Sequence, residues 1–440
     1  MNIIINPTDR LNGTVAAPPS KSYSHRAFIA SSLADGISVI KNALVSGDVD
    51  VTIKVLQNLG INISKISTNQ FIVKGSGGLF KPFNGIIDCR NSGTSLRIFS
   101  MLALLVKGGL NFTGSFLSRK RPISPLLEAI TKLGGKCVLN SNSLSVRRAK
   151  NRCNTIEIRG DISSQFITAL LMIGPLLSCK KKDYFSVNII SPLKSYPYVL
   201  ITLKVLKYFG INIQEKLDEK RLGTYIIPCY QNYRAQRFNV PGDFSSISYI
   251  ITAGVLTPLD SKITITNLDF NDPQGDKQII EILKDMGAKI EIDKEKGQVV
   301  IEGNLIKYPL KGKRIDVKDI PDLFPILAVI GAFAHDKTIL DNAINLRYKE
   351  SDRITIMSRE LSKMGIKVEE SEEQLIIYHC DQLKAAKVLH ENDHRIAMAL
   401  TIANLFTETS SRINNIEIVK DSYPSFIEDL VRLGAQISRE

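Results

Sequence analysis

The chain has 440 residues, 44% of them hydrophobic and 23% charged, with a formal net charge of +13. That length exceeds one ordinary hydrophobic core and calls for two domains in a folded, soluble protein. No charged region precedes an apolar stretch at the start, so no secretory signal is expected. The longest apolar runs, residues 166–177 and 324–334, fall short of the roughly 18 residues a membrane span needs, and they read as buried helices. Six cysteines lie scattered without a CxxC pair (Cys89, Cys137, Cys153, Cys179, Cys229 and Cys380). They are expected to be reduced, mostly buried thiols of a cytosolic protein. No cysteine–histidine cluster has zinc-ligand spacing, so no structural metal is expected. The positive charge has two sources to weigh, a lysine-rich surface or an anionic partner. No nucleic-acid motif accompanies it, which leaves small anions.

In chain order, Ile3 to Ile5 reads as an apolar strand that must pair elsewhere in the chain. Pro18-Pro19-Ser20-Lys21-Ser22-Tyr23-Ser24-His25-Arg26 then breaks a strand and starts a helix, with Ser20 or Ser22 as its N-cap. Next comes a phrase that recurs: a helical segment, an apolar residue, a glycine and an alternating strand, first around Gly60. It returns at Gly134, Gly210, Gly287, Gly365 and Gly434, at intervals of 74, 76, 77, 78 and 69 residues. Each glycine suits a left-handed helix end, and the alternation after it suits a half-buried strand. Six copies at nearly constant spacing imply internal repetition, and a period of roughly 75 residues fits a βαβ-type unit with extra strands. Three such units make one domain. The seam is expected in residues 228–241, a stretch rich in Tyr, Gln, Asn and Arg.

Polar motifs are expected at the helix ends opposite those glycines. Asn91-Ser92-Gly93-Thr94-Ser95-Leu96-Arg97, Gly160-Asp161-Ile162-Ser163-Ser164-Gln165 and Gly242-Asp243-Phe244-Ser245-Ser246 each begin a helix, and Asn392-Asp393-His394-Arg395 precedes another. A helix start carries free N–H groups and partial positive charge. Placing Lys21 and Arg395 there costs a few tenths to roughly 1 kcal/mol, which makes sense if an anion occupies the same place. Asp322, before the apolar run from Leu323 to Ile330, looks like an N-cap carboxylate that cations could tune for proton transfer. The segment Asn345-Leu346-Arg347-Tyr348-Lys349-Glu350-Ser351-Asp352-Arg353 reads as a helix start with Lys349 and Arg353 four apart on one face. The residues alone thus reach an enzyme acting on phosphorylated acids.

At these residues the sequence resembles the 5-enolpyruvylshikimate-3-phosphate synthases of the enolpyruvate transferase family. The phrases that carry the resemblance run from Pro19-Ser20-Lys21-Ser22 through Asn91-Ser92-Gly93-Thr94, Arg121-Pro122-Ile123, Ser163-Ser164-Gln165, Ile320-Pro321-Asp322 and Lys349-Glu350-Ser351-Asp352-Arg353 to Asn392-Asp393-His394-Arg395. The resemblance implies an α/β (α+β) fold of two similar domains, each of three βαβαββ units, with an interdomain active-site cleft. Residues 20–240 would form one domain, which binds shikimate phosphate. Residues 1–19 with 241–440 would form the other, which carries phosphoenolpyruvate-binding and catalytic residues.

By the same resemblance, shikimate 3-phosphate would be held by Lys21, Ser22, Arg26, Ser163, Ser164, Gln165, Ser195, Asp322, Asn345 and Lys349. Phosphoenolpyruvate would be held by Lys21, Asn91, Gly93, Arg121, Gln165, Arg353 and Arg395. Gly93 would let backbone N–H groups come close to the anion. Asp322 would act as the base for the sugar hydroxyl. Glu350, with Lys21 as a second candidate, would handle the proton at the methylene carbon. No cofactor or metal is implied, and the partners are the two small-molecule substrates of a cytoplasmic monomer, with neither nucleic acid nor membrane. The Asn91–Thr94 segment implies glyphosate sensitivity.

One position departs from the family's pattern. A lysine usually stands two residues before the C-terminal aromatic–Pro pair, but here Asp421 precedes Tyr423-Pro424, with Lys420 alongside. Either Lys420 substitutes for it or the contact is missing. The sister enzymes that act on UDP-N-acetylglucosamine usually have Lys-Asn in place of Lys21-Ser22 and a cysteine before the arginine matched by Arg121. Residues 114–121 contain no cysteine.

Overall fold

The computed structural model describes residues 1–119, 121–148, 155–177 and 183–440. Cys153 and Cys179 lie outside the described residues. The chain divides into two compact halves, one of Pro19–Val240 and one of Met1–Pro18 with Pro241–Glu440.

The repeat is plainest in residues 86–148. Strand Ile86–Asp88, helix Gly93–Leu102, strand Leu110–Thr113, helix Ser124–Lys132 and strands Gly135–Leu139 and Ser143–Arg148 follow in order. The sheet runs first, second, fourth, third strand; the first pair is parallel and the others antiparallel. A parallel pair needs a crossover, which the first helix supplies, and an antiparallel pair can be closed by a tight turn. Residues 156–228 and 314–378 repeat this plan, each with its own four-stranded sheet.

The remaining repeats borrow strands. Arg237–Asn239 pairs in parallel with Asp35–Lys41 and completes the first sheet from the far end of its half. Asn12–Ala16 pairs in parallel with Ser261–Thr266 and completes the fourth. Ile3–Ile5 lies antiparallel between Ser411–Ile413 and Ile437–Arg439. The sixth sheet therefore has three strands, and its first-strand position is reduced to a single Leu383–Thr407 bridge.

All six repeated glycines have positive φ, from 86° at Gly210 to 117° at Gly287. Each ends the second helix of its repeat, where an L side chain would be strained. Most of the polar motifs do not sit at the far ends of these helices. Ser20, Ser92, Ser163, Asp243 and Asp393 start the first helix of a repeat, and only Asp352 and Ser195 start second helices.

First helices are the buried ones. Every residue of Phe244–Leu256 and of His394–Asn404 is buried, as is nearly all of Phe324–Phe333 and Ser164–Ile173. A helix buried on all sides belongs inside a core. Its polar residues survive there by bonding their own backbone, as Ser100 does to Leu96 O at 2.6 Å and Thr401 to Ala397 O at 2.8 Å. Each half has one continuous apolar cluster. Of the four described cysteines, all free, Cys89 and Cys229 are buried while Cys137 and Cys380 are only half-buried, fewer than expected. Among the described residues no helix is long and apolar enough to cross a membrane.

Candidate functional site

In the half Pro19–Val240, three first helices start at Lys21, Gly93 and Ser164. Ser20 is the N-cap of the first, but its hydroxyl makes no capping bond and is buried without a partner. The expected serine cap is present in position only. Lys21 Nζ lies 3.5 Å from Asp48 Oδ2 in the first turn of helix Gly47–Asn58. Arg26 is 3% exposed and already engaged: Nε donates to Thr202 Oγ1 at 2.9 Å, Nη1 to Ser22 O at 2.8 Å, and Nη2 to Thr168 Oγ1 and Tyr198 O. Burial among these neutral acceptors pulls its pKa down to about 10.

The Asn91–Arg97 motif meets the Ser163–Gln165 motif through Gln165. Its Oε1 accepts from Arg97 Nη1 at 2.5 Å, and its Nε2 donates to Thr94 Oγ1 at 3.0 Å. Arg121 donates to Asn91 O at 2.9 Å, and the Phe116 ring lies 4.6 Å from its guanidinium and 5.0 Å from that of Arg97. An aromatic face steadies a cation beside it. A Cβ on Gly93 would meet Phe116 Cε2 at 3.1 Å and Arg97 Nη1 and Gln165 Oε1 at 3.2 Å each. The glycine thus protects this side-chain arrangement, in addition to the backbone access expected of it. Ser163 caps its helix through Gln165 N, and Ser164 is buried. Ser195 is buried at φ 56° and ψ 35°, a left-handed conformation that costs a serine about 1 kcal/mol or more and is met where a site demands it.

The other half holds an ionic cluster. Arg353, 1% exposed, reaches three carboxylates at 2.9 Å: Asp393 through Nε, Asp322 through Nη1 and Glu350 through Nη2. Arg395 Nη2 lies 2.7 Å from the second oxygen of Asp322. Asp322 is therefore not an N-cap. Leu323 holds that position in helix Phe324–Phe333, and the Asp322 carboxylate is drawn instead to the two guanidiniums. Burial pushes the Asp322 carboxyl up, but Arg395, Arg353 and Lys349 outweigh it and hold it well below the usual range.

Lys349 and Arg353 do not share a helix face. Ile344–Tyr348 is a 3-10 turn, Lys349 is extended, and the helix starts at Arg353 with Asp352 as its cap. Asn345 is 4% exposed, and its amide oxygen is buried without a partner. Lys420 is exposed at the end of the 3-10 turn Ile416–Asp421.

Sequence reasoning missed four residues. Asp48 faces Lys21, Arg97 holds Gln165, Asp393 both caps a helix and pairs with Arg353, and Asp276 accepts from the buried Ser245 hydroxyl. Arg97 and Asp393 had a signal, since both stand within quoted motifs. Asp48 and Asp276 had none, because their partners are 27 and 31 residues away. Among the described residues no group of three or more His, Cys, Asp or Glu is placed to hold a metal ion.

A family model described as EPSP synthase (3-phosphoshikimate 1-carboxyvinyltransferase) matches residues 5–430. The chain is similar to proteins named 3-phosphoshikimate 1-carboxyvinyltransferase from Methanocaldococcus jannaschii, 45% identical, and from Methanococcus maripaludis strain C5, 40% identical. Each alignment covers 99% of both chains. Among solved structures it resembles an EPSP synthase from Acinetobacter baumannii, with a TM-score of 0.80, 24% identity and full coverage of both chains. It also resembles the enolpyruvyl transferase NikO from Streptomyces tendae, with a TM-score of 0.74, 18% identity, and 99% and 98% coverage. Both likenesses are of fold.

Proposed function

This chain belongs to the EPSP synthase family, and from that premise we propose that it transfers the carboxyvinyl group of phosphoenolpyruvate to the 5-hydroxyl of shikimate 3-phosphate, releasing phosphate. The observation that carries the reading is Asp322, held at 2.9 and 2.7 Å by two buried guanidiniums. That set can receive an anion on its arginines and a proton on its carboxylate. Arg353 and Arg395, with Asn91, Gly93 and Arg121, hold phosphoenolpyruvate. Ser163, Ser164, Ser195, Asn345 and Lys349, with Lys21, Ser22 and Arg26, hold shikimate 3-phosphate, and Gln165 serves both. Arg26 acts through Ser22, whose carbonyl it holds.

The 5-hydroxyl gives its proton to Asp322 while its oxygen bonds to the central carbon of phosphoenolpyruvate. Glu350, or Lys21 in its place, delivers a proton to the methylene carbon, which becomes a methyl group. The tetrahedral adduct then expels phosphate as the methyl group returns a proton and the double bond re-forms. Two anions that repel each other are held together by fixed cations, which supplies both proximity and charge stabilisation. The chain works as a cytoplasmic monomer without cofactor or nucleic acid, and glyphosate competes at the phosphoenolpyruvate set.

A coupled assay tests the reading. Phosphate release from phosphoenolpyruvate should appear with shikimate 3-phosphate and be absent with UDP-N-acetylglucosamine. Release with neither acceptor overturns it.

A further inference from the structure

His25 is 1% exposed and four residues along the helix from Lys21. Its Nδ1 lies 2.8 Å from Thr52 Oγ1, and Thr52 Oγ1 lies 3.0 Å from Ser95 Oγ. Ser95 Oγ also accepts from Ser92 Oγ at 2.9 Å and reaches Asp48 O at 3.4 Å. Thr52, Ser92 and Ser95 are fully buried. The Asp48 carboxylate in turn faces Lys21 at 3.5 Å. These contacts form a ring through the starts of three helices: Lys21–Leu33, Gly47–Asn58 and Gly93–Leu102.

The ring has one consistent direction. His25 Nε2 is buried with no partner. A proton there would be a buried donor without an acceptor, whereas a bare lone pair is more easily tolerated. The proton therefore belongs on Nδ1. His25 then donates to Thr52, Thr52 to Ser95, and Ser95 to the Asp48 carbonyl, and every hydroxyl both gives and receives. Burial, with Lys21 and Arg26 close by, lowers the imidazole pKa well below its ordinary value and keeps the ring neutral.

We propose that His25 is a positioning residue for the transfer reaction, and that the His25–Thr52–Ser95 relay locks the helix start bearing Lys21 to the one bearing Asn91 and Gly93. The relay touches neither substrate. It fixes the separation of two anion-binding helix starts, a task that packing alone does loosely because hydroxyl and imidazole contacts are directional. The proposal rests on the assignment of Asn91 and Gly93 to phosphoenolpyruvate.

The test combines tautomer and kinetics. Nitrogen-15 NMR of the histidine-labelled protein should show His25 protonated at Nδ1, an outcome independent of any substrate assignment. Thr52→Val keeps the shape and removes the hydroxyl, and it should raise KM for phosphoenolpyruvate about 3- to 10-fold with kcat nearly kept. His25→Leu should match it, the double variant should be no worse than either alone, and His25→Asn should restore KM by placing an amide N–H near Nδ1. Should His25→Leu fail to fold, Thr52→Val and Ser95→Ala carry the test. A proton on Nε2, or an unchanged KM in Thr52→Val beside a lowered melting temperature, overturns the proposal. If wild-type protein shows no turnover at all, the functional reading fails while the tautomer result still stands.

Discussion

Arg353 donates its Nη1–H to Asp322 Oδ1 at 2.9 Å, and with 1% exposure that guanidinium has almost no water to turn to. An Asp322 carboxylate so held is a weak base, because the cations that stabilise its charge also resist its protonation. Anions arriving at Arg353 and Arg395 would share those cations and raise the basicity of Asp322 when the hydroxyl is in place. Asp322→Asn should therefore lower kcat by about 100-fold or more and change the dissociation constant of shikimate 3-phosphate much less. Calorimetry beside steady-state kinetics separates the two. Equal losses in both would make Asp322 a residue that only places substrate.

Asp276 is a buried carboxyl of the same half with a raised proton affinity. It is 3% exposed and accepts the Ser245 hydroxyl; burial, then the charge of Asp322, pushes it from 3.8 up to about 7. The folded state therefore holds this proton between roughly pH 4 and pH 7, where the unfolded chain has released it. Its contribution to stability is fully present below pH 4 and is lost as pH rises through 7. Relative to wild type, Asp276→Asn should gain stability when urea midpoints measured at pH 8 are compared with those at pH 5. A difference that does not change with pH would show that Asp276 titrates normally.

Gly93→Ala asks how much room the Arg97–Gln165 pair has. Its Cβ would lie 3.2 Å from both partners, closer than ordinary contact, so the pair or the Phe116 ring must yield by a few tenths of an ångström. The expected result is a KM for phosphoenolpyruvate raised several-fold, on the order of 1 kcal/mol, with the melting temperature nearly unchanged because the helix geometry is not strained. An unchanged KM would mean that the Gln165 position is not set by this contact.

Legibility from sequence followed the range of the interactions. The six glycines, the buried first helices and the capping residues Asp352 and Asp393 depend on neighbours within a few positions, and each left a local mark. Strand exchange left less: Ile3–Ile5 reads as a strand that must pair elsewhere, and it does pair within the half that holds Pro241–Glu440. Nothing near Ile3–Ile5 indicates a partner more than 400 residues away at Ile413 and Ile437. Asp322 shows the same limit at the site. Its place before a helix suggested a cap, but two arginines 31 and 73 positions further along offered more charge than a backbone N–H could. The recurring spacing overstated symmetry in one respect, since it did not show that most of the polar motifs start the first helix of a repeat while the glycines end the second.

The C-terminal departure at Asp421 bears on phosphoenolpyruvate binding. Lys420 is exposed and its charge acts on Glu417, which pairs with the N-terminal amine of Met1. Tyr423 is fully buried, and its backbone N–H donates to Val419 O at 2.9 Å in the turn that both Lys420 and Asp421 occupy. A local shift that exchanged their positions would have to expose that ring or unwind the turn. Lys420→Ala should therefore leave KM for phosphoenolpyruvate within about twofold of wild type. Asp421→Lys, which places a cation where relatives usually have one, should lower that KM, because it replaces a negative charge with a positive one toward an anionic substrate. A KM raised about tenfold by Lys420→Ala would instead show that Lys420 reaches phosphoenolpyruvate during turnover.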